Sequence, residues 1–184
     1  MYISYDYQRM KMKTNRPVEI RLRRLNERDM KPLQEIADNK KIFDNLPDFF
    51  PFPYTLDDAK RFLTLTESEE KTCTFAIEWE GVLVGIISLI PQADIYAKSM
   101  KVGYWLGEAY WGKGIATAAL RKICAYAWQN FDINRLFSSV IAYNKSSVKV
   151  MEKAGFTFEG IGRKAIFKNG QFYDDHYYGL LKDD

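Results

Sequence analysis

The spacing of the apolar residues changes twice along this chain, and that change is the strongest constraint on its fold. Apolar side chains alternate with polar or small ones from Cys73 to Trp79, and a near-continuous apolar run follows from Val82 to Ile90. After Met100–Gly107, another predicted strand, the spacing becomes that of an amphipathic helix, and it returns to a period of two from Arg135. The helical face consists of Ile115, Ala119, Leu120, Ile123 and Ala127.

The order of these elements predicts an α+β domain built on a single sheet. Asn26 and Thr55 are each followed three residues later by an aspartate, and both predict the start of a helix. Residues 1–16 are polar and are expected to form an N-terminal tail, so that residues 17–184 make one domain. The other predicted elements are strands over 18–22 and 135–142, a helix over 146–153, and a strand pair over 156–181 joined at Lys168-Asn169-Gly170.

Composition and charge exclude several classes of protein. Lys and Arg number 27 against 24 Asp and Glu, and a net charge of +3 is too small to indicate a nucleic-acid or membrane partner. The run from Val82 to Ile90 is too short to span a bilayer, and no hydrophobic signal segment is visible near Met1. Cys73, Cys124 and the single histidine, His176, lack the spacing of a metal site. We therefore expect a cytoplasmic protein with reduced thiols and no bound metal.

A glycine-rich turn, Trp111-Gly112-Lys113-Gly114-Ile115-Ala116-Thr117, stands between a predicted strand and the long helix. Glycines let the backbone turn tightly and approach a ligand, and the free N–H groups of a helix N-terminus favour an anion. The turn therefore predicts a phosphate or pyrophosphate site, to which Lys113 adds a charge, although a tight turn without a ligand has the same pattern. The nucleotide P-loop and the dinucleotide fingerprint are excluded, because their further glycines are absent.

A second group of polar residues follows, from Asn144-Lys145-Ser146-Ser147 to Glu152-Lys153-Ala154-Gly155-Phe156. Alone, it is typical of a short helix with a polar N-cap and a glycine C-cap. With the Gly-x-Gly-x-Ala turn, it resembles the GNAT N-acetyltransferase superfamily. The runs GYWLGEAYWGKGIATAAL and GFTFEGIGRKAIFKNGQFYDDHYYGLL are similar to its RimJ/RimL branch, of the ribosomal-protein-alanine acetyltransferase type. The resemblance implies a mixed, mostly antiparallel central sheet flanked by helices on both faces.

The resemblance also implies acetyl-CoA as a co-substrate. Its pyrophosphate would rest on the glycine-rich turn, where Trp111 occupies the first motif position, as is common in this branch. The pantetheine would pair with the backbone at Trp105 and Leu106, and Asn144 would hold it and orient the departing thiol. The implied acetyl-CoA-binding residues are Trp105, Leu106, Trp111, Gly112, Lys113, Gly114, Ile115, Ala116, Thr117 and Asn144.

Two residues carry the catalytic roles that the resemblance implies. The Leu106 N–H would stabilise the oxyanion of the thioester carbonyl. Ser147 would protonate the departing CoA thiolate, because Met151 stands where many relatives carry a tyrosine acid. The alternative is that Ser147 only hydrogen-bonds within its own helix.

The general base is not evident, since Ile166 stands where some relatives carry a carboxylate. The possible substitutes are Glu108, Tyr104, Asp44 and Asp48. Deprotonating a lysine amine at pH 7 costs about 4.6 kcal/mol, whereas an α-amine costs about 1 kcal/mol. The missing base therefore favours an α-amine, or another amine of similarly low pKa, as the acceptor.

We expect an acetyl-CoA-dependent N-acetyltransferase that transfers the acetyl group directly to a primary amine, with a protein N-terminus as one candidate acceptor. A polyamine, an amino acid or an antibiotic amine is the alternative acceptor, and an inactive acetyl-CoA sensor is the alternative function. A homodimer is one assembly that the resemblance allows. The rings of the Asp44–Tyr54 loop either line the acceptor cleft or pack into the core, and the basic residues near the N-terminus, including Arg21 and Arg23, are expected to be solvated. The rings are Phe49, Phe50, Phe52 and Tyr54.

Overall fold

The computed structural model describes residues 18–68 and 73–184, which form one mixed sheet with helices on both faces. The strand order is β1-β2-β3-β4-β5-β7-β6, and every neighbouring pair is antiparallel except β4 with β5. This topology confirms the expected α+β fold. The strands are β1 (Arg21–Arg23), β2 (Thr74–Trp79), β3 (Val82–Pro91), β4 (Ser99–Leu106), β5 (Arg135–Ile141), β6 (Thr157–Lys168) and β7 (Gln171–Leu181). The helices are α1 (Met30–Ala37), α2 (Lys40–Phe43), α3 (Leu56–Glu67), α4 (Ile115–Asn130) and α5 (Lys145–Ala154).

Each face of the sheet carries its own hydrophobic core. On one side, which we call the α4 face, α4 fully buries the five residues predicted from its periodicity, and α5 adds Met151. On the other side, the α1 face, α1 and α3 bury Leu33, Ala37 and Leu63 against the sheet. The two cores account for the helices on both faces of the sheet.

Local sequence signals fix the starts of two helices and two hairpin turns. Asn26 and Thr55 both form capping boxes with the aspartate three residues later, as predicted, and a short 3-10 turn over Glu27–Asp29 leads into α1. The turns Glu80-Gly81 and Asn169-Gly170 have positive φ at both positions, the geometry that two-residue hairpins require.

Two features differ from the expectations. The one-turn helix α2 was not predicted, because four residues are too few to show a period; Asn39 caps it by accepting from the Lys41 N–H. Arg23 is not solvated, since its guanidinium lies 2.7 Å from the Asp29 carboxylate and 2.6 Å from Glu78. The predicted tail over residues 1–16, with its basic side chains, lies outside the described residues.

Both cysteines are free thiols, as expected. Burial raises the pKa of Cys124 to about 12, so this side chain stays protonated at neutral pH. The described part of the chain holds no cluster of three or more His, Cys, Asp or Glu side chains that could bind a metal ion. Within the same residues, no helix is long and apolar enough to cross a bilayer.

Candidate active site

A gap opens in the sheet between β4 and β5, the two parallel strands. They pair only from Ser99 to Lys101, opposite Arg135 to Phe137. At the point of separation the buried Ser138 hydroxyl donates to the Val102 carbonyl over 2.8 Å. Beyond that point β4 keeps its pairing with β3, and β5 keeps its pairing with β7. Each strand therefore turns one row of backbone groups toward the gap, where an extended ligand can pair with them.

The direction of the backbone groups along β4 decides which residues face the gap. The Gly107 N–H donates to the Val84 carbonyl on β3 over 2.9 Å, whereas Val102 accepts from β5. Because this direction alternates with a period of two, the Leu106 N–H points into the gap and the backbone of Trp105 points toward β3. Of the two predicted pantetheine residues, Leu106 thus presents its backbone to the gap, while Trp105 turns its side chain to the α1 face.

The glycine-rich turn lies directly beyond β4 and begins α4. Gly112 and Gly114 have φ of +73° and +80°, a conformation that glycine adopts without strain. Trp111 fastens the turn to the strand end, because its indole nitrogen donates to the Leu106 carbonyl over 2.8 Å. No described side chain caps α4, and its first turn carries no acidic residue. The free N–H groups of Ile115, Ala116 and Thr117 therefore fit an anion such as a pyrophosphate.

Lys113 takes a position that the sequence did not indicate. Its ammonium lies 4.9 Å from the centroid of the Trp79 ring and 5.6 Å from that of Tyr110. Cation–π contacts of this kind hold the lysine over β2 and the turn before α4. The positive charge stays beside the turn, and the first amide groups of α4 offer hydrogen-bond donors to the predicted anion.

On the other side of the gap, Asn144 and Ser147 begin α5. The Asn144 side-chain oxygen accepts from the Ser147 N–H over 3.0 Å, so the asparagine caps the helix. Its amide nitrogen has no partner in residues 18–68 and 73–184 and can donate to a ligand. Capping and ligand binding are therefore compatible at this residue.

A hydrogen bond that the sequence did not predict crosses from β4 to α5. The Tyr104 hydroxyl lies 2.8 Å from the Ser147 hydroxyl. Burial raises the pKa of Tyr104 to about 12, although the bond to Ser147 acts against this increase. Tyr104 is consequently a proton donor at neutral pH and a poor base. Met151 is buried in the α4-face core, so it takes no part in proton transfer.

The carboxylates suggested as the base are all held in ion pairs. Hydrogen bonds from Lys41 and Asn39 lower the pKa of Glu108. Burial raises the pKa of Asp44, but hydrogen bonds from Lys40 and Asn169 outweigh it, so that the pKa lies below its usual value. Asp48 pairs with Lys168. The neighbours of Glu108 and Asp44 stabilise the charged forms, which makes these two carboxylates weak bases.

The loop after α2 extends over the α1 face to the hairpin of β6 and β7. We call residues 44–48 the bridging segment. Asp44 accepts from Asn169 over 2.9 Å, and its carbonyl accepts from the Tyr143 hydroxyl. Asp48 accepts from Lys168, whose ammonium lies 3.6 Å from the centroid of the Phe43 ring. The bridging segment thereby connects α2 with the ends of β5 and β6, beside the gap.

The aromatic loop combines both expected arrangements. Tyr54 is buried, and Phe50 stacks on it at 5.0 Å and meets the Trp105 ring edge-on at 5.8 Å. Phe49 and Phe52 are exposed. Half of the rings therefore belong to the α1-face core, next to the end of β4.

A cleft of about 460 Å³ lies beside the same end of β4, between α1 and the turn before α4. Its two carboxylates are already paired, Glu35 with Lys31 and Glu108 with Lys41. The lining residues are Glu35, Ile36, Asn39, Gly107, Glu108, Ala109 and Tyr110.

Comparison with known proteins agrees with this geometry. Residues 19–157 match the family model of the acetyltransferase (GNAT) domain. The putative ribosomal N-acetyltransferase YdaF of Bacillus subtilis is 38% identical over 104 residues, a match that spans only 56% of this chain and 56% of YdaF. The probable N-acetyltransferase YjcK of the same organism is 32% identical over 136 residues, 71% of this chain and 75% of YjcK. A structure of RimL, the ribosomal L7/L12 alpha-N-protein acetyltransferase, in complex with coenzyme A superposes with a TM-score of 0.79 at 22% identity, covering 91% of this chain and 97% of RimL.

The fold, the gap and the uncapped turn together define an N-acetyltransferase of the GNAT family, and the chain belongs to that family. It is similar to the RimJ/RimL branch, as the sequence motifs indicated.

Proposed function

We propose that the protein transfers the acetyl group of acetyl-CoA to a primary amine, and that the α-amine of a protein N-terminus is the preferred acceptor. The observation that carries this proposal is the gap between β4 and β5, which opens beside an uncapped helix N-terminus. A long ligand with an anionic end fits both features at once. RimL, with which the fold superposes, acts on a protein α-amine according to its name, and YdaF is named as a putative ribosomal enzyme.

In this mechanism the acceptor nitrogen attacks the thioester carbon, and the Leu106 N–H donates to the oxyanion that forms. The acceptor ammonium has lost one proton to solvent before this attack, and the C–S bond breaks as the carbonyl re-forms. The second proton that leaves the nitrogen replaces the one that Ser147 gives to sulfur. Ser147 donates its proton toward the departing sulfur, while Tyr104, 2.8 Å away, donates to the Ser147 oxygen. The Asn144 amide nitrogen and the first amides of α4 hold the two ends of the pantetheine arm and its pyrophosphate.

The charge of the cleft favours a peptide over a polyamine. A polyamine carries several positive charges and needs several unpaired carboxylates to neutralise them. The carboxylates of Glu35 and Glu108 are each paired with a lysine. A peptide N-terminus carries one charge at neutral pH, which is removed at a cost of only about 1 kcal/mol.

Calorimetric titration with acetyl-CoA tests the cofactor site. We expect micromolar binding by the wild-type protein and at least 100-fold weaker binding by Gly114→Trp. Gly112→Trp is a second variant that should block the site. A Cβ at Gly112 meets no atom within 4 Å, so the new side chain would fill the space of the ligand without a clash with the protein. Gly170→Trp is the matched control, since Gly170 also has a positive φ of +77° but lies in the distant β6–β7 turn.

Release of CoA then tests the acceptor. Peptides with a free N-terminus should be turned over, whereas the same peptides with an acetylated N-terminus should not. Faster turnover of spermidine than of any peptide would contradict the α-amine assignment. An absence of acetyl-CoA binding by the wild-type protein would overturn the whole proposal.

A further inference from the structure

One carboxylate beside the gap has no part in the mechanism given above. Asp175 lies on β7, opposite Ile141 of β5 and Gly162 of β6. Its neighbours on β5 and β7, Val140 and Tyr178, belong to the α4-face core. Because side chains alternate along a strand, the Asp175 side chain stands on the opposite, α1 face.

The strand register places Asp175 at the level of the reacting end of β4. Continuing the β4–β5 register from Lys101 and Phe137 brings Ile141 level with Trp105. Asp175 stands directly beside Ile141, on the same face as the Trp105 side chain. Since α4 and α5 close the other face, an acceptor amine must approach the gap from the face that carries Asp175.

The carboxylate of Asp175 is incompletely satisfied. Its Oδ1 is buried and accepts no hydrogen bond from any residue in 18–68 or 73–184. In the same part of the chain one further buried side-chain oxygen lacks a donor, Oδ1 of Asn45, which lies in the bridging segment. Both atoms are acceptors, so water or a ligand with N–H or O–H donors can satisfy them.

A chain of contacts connects these two oxygens. Asp44, next to Asn45, accepts from the Tyr143 hydroxyl through its carbonyl. The Tyr143 ring packs against Tyr173 with centroids 4.8 Å apart. Tyr173 precedes Asp175 by two residues and shares its face of β7. These contacts join the bridging segment, which carries Asn45, to the face of β7 that carries Asp175.

The surroundings make Asp175 a stronger base than an ordinary aspartate. Burial raises its pKa, while the nearby Ser139 hydroxyl and the charges of Lys101 and His176 act in the opposite direction. The net direction is upward, in contrast to Glu108 and Asp44. The groups that face or flank it are Ser139 of β5, Lys101 of β4, and Tyr173, His176 and Tyr177 of β7.

We propose that Asp175 is the catalytic base, which takes the proton of the acceptor ammonium directly or through one water. This inference rests on the proposed function. The carboxylate accepts one N–H proton, and the freed lone pair forms the C–N bond while the C–S bond breaks. The departing sulfur takes the Ser147 proton, and the second proton that leaves the acceptor nitrogen restores the Ser147 hydroxyl through water. Asp175 afterwards releases its own proton to water.

The test compares Asp175→Asn with the wild-type protein over pH 6 to 8.5, using a peptide with a free N-terminus. The substitution keeps the shape of the side chain and removes the base. We expect kcat/KM to fall about 100-fold at pH 6. The variant depends on amine that is already deprotonated, whose fraction rises about 50-fold over this range for a pKa near 7.8. The loss should therefore shrink to a few-fold at pH 8.5.

Asp174→Asn is the matched control. Asp174 is the preceding carboxylate on β7, and it accepts from the Lys164 N–H over 2.8 Å, an interaction that asparagine can retain. Because Asp174 has no role in the reaction, the kcat/KM of Asp174→Asn should stay within about threefold of wild type at every pH. The loss expected for Asp175→Asn at pH 6 is about 100-fold, so the two results are easily distinguished. Acetyl-CoA binding should be unchanged in both variants, which shows that each is folded.

The outcomes separate the two proposals. An unchanged kcat/KM for Asp175→Asn, or a loss that is the same at every pH, would overturn the role of Asp175 alone. A wild-type protein that binds acetyl-CoA but acetylates no amine would overturn the proposed function, and this inference with it.

Discussion

Replacing Tyr104 by phenylalanine removes one oxygen atom and with it the bond that joins β4 to α5 across the gap. The Tyr104 and Ser147 hydroxyls are 2.8 Å apart. If the pair only supports the structure, its loss should cost about 1 kcal/mol, the usual net value of a neutral hydrogen bond. For a chain of this size that cost lowers the melting temperature by about 2–4 °C.

A larger effect is expected on the rate. As Ser147 gives its proton toward the departing sulfur, its oxygen becomes partly negative and the bond from Tyr104 becomes charge-assisted. Hydrogen bonds to charged groups contribute about 1.5–3 kcal/mol. The corresponding loss in kcat is about 10- to 150-fold. Since burial raises the pKa of Tyr104 to about 12, the phenol stays protonated and the loss should be constant between pH 6 and 9.

A double-mutant cycle on CoA release measures this coupling. The variants are Tyr104→Phe, Ser147→Ala and their combination, and Tyr178→Phe is the control because Tyr178 is another buried tyrosine with a raised pKa. We expect the double variant to match Ser147→Ala alone, because Tyr104 acts through the serine. Additive losses would refute the argument, as would a Tyr104→Phe variant with wild-type kcat and a raised KM for acetyl-CoA.

Two further predictions concern stability. Lys168 is only 3% exposed and lies over the Phe43 ring. Lys168→Ala should therefore lower the free energy of unfolding by about 2 kcal/mol, and Lys168→Met, which keeps the buried stem, by about 1 kcal/mol. Equal urea midpoints for the two variants would contradict this account. Hydrogen bonds from the Thr55 side chain and backbone lower the pKa of Asp58. Its contribution is therefore present above about pH 4 and lost as the pH falls through the lowered pKa. Asp58→Asn should lose about 1 kcal/mol at pH 7 and show a flatter decline in melting temperature below pH 4, and an acid profile parallel to that of wild type would speak against the cap.

The elements that the sequence predicted correctly are those with a local cause. Both capping boxes involve residues three positions apart, and the long helix repeats its apolar residues over 16 positions. The glycine-rich turn needs a positive φ at Gly112 and Gly114, which few other residues tolerate. In each case the physical reason lies within a few residues of the feature.

The parts that were missed depend on contacts between distant segments. Arg23 was expected to be solvated, but it pairs with Glu78, 55 residues away. Tyr104 and Ser147 are 43 residues apart, and Lys168 and Asp48 are 120 apart. Asp175 was overlooked for another reason. In the run Tyr173-Asp174-Asp175-His176 every residue is polar or amphipathic, so the pattern does not show which side chains face the gap.

The helix starts explain why the unsatisfied backbone groups collect at one place. Asn39, Thr55 and Asn144 cap α2, α3 and α5 with side-chain oxygens, and α1 continues from the turn that Asn26 caps. The start of α4, the longest described helix, has no such cap. The same end of the sheet is where β4 and β5 give up their pairing after three residues. The uncapped start of α4 and the short pairing of β4 with β5 both leave backbone groups without a protein partner, so that only water can pair with them. An extended ligand with an anionic end can pair with the backbone groups of β4 and β5 and with the first N–H groups of α4 at the same time. We therefore infer that these unpaired groups form one continuous ligand-binding site.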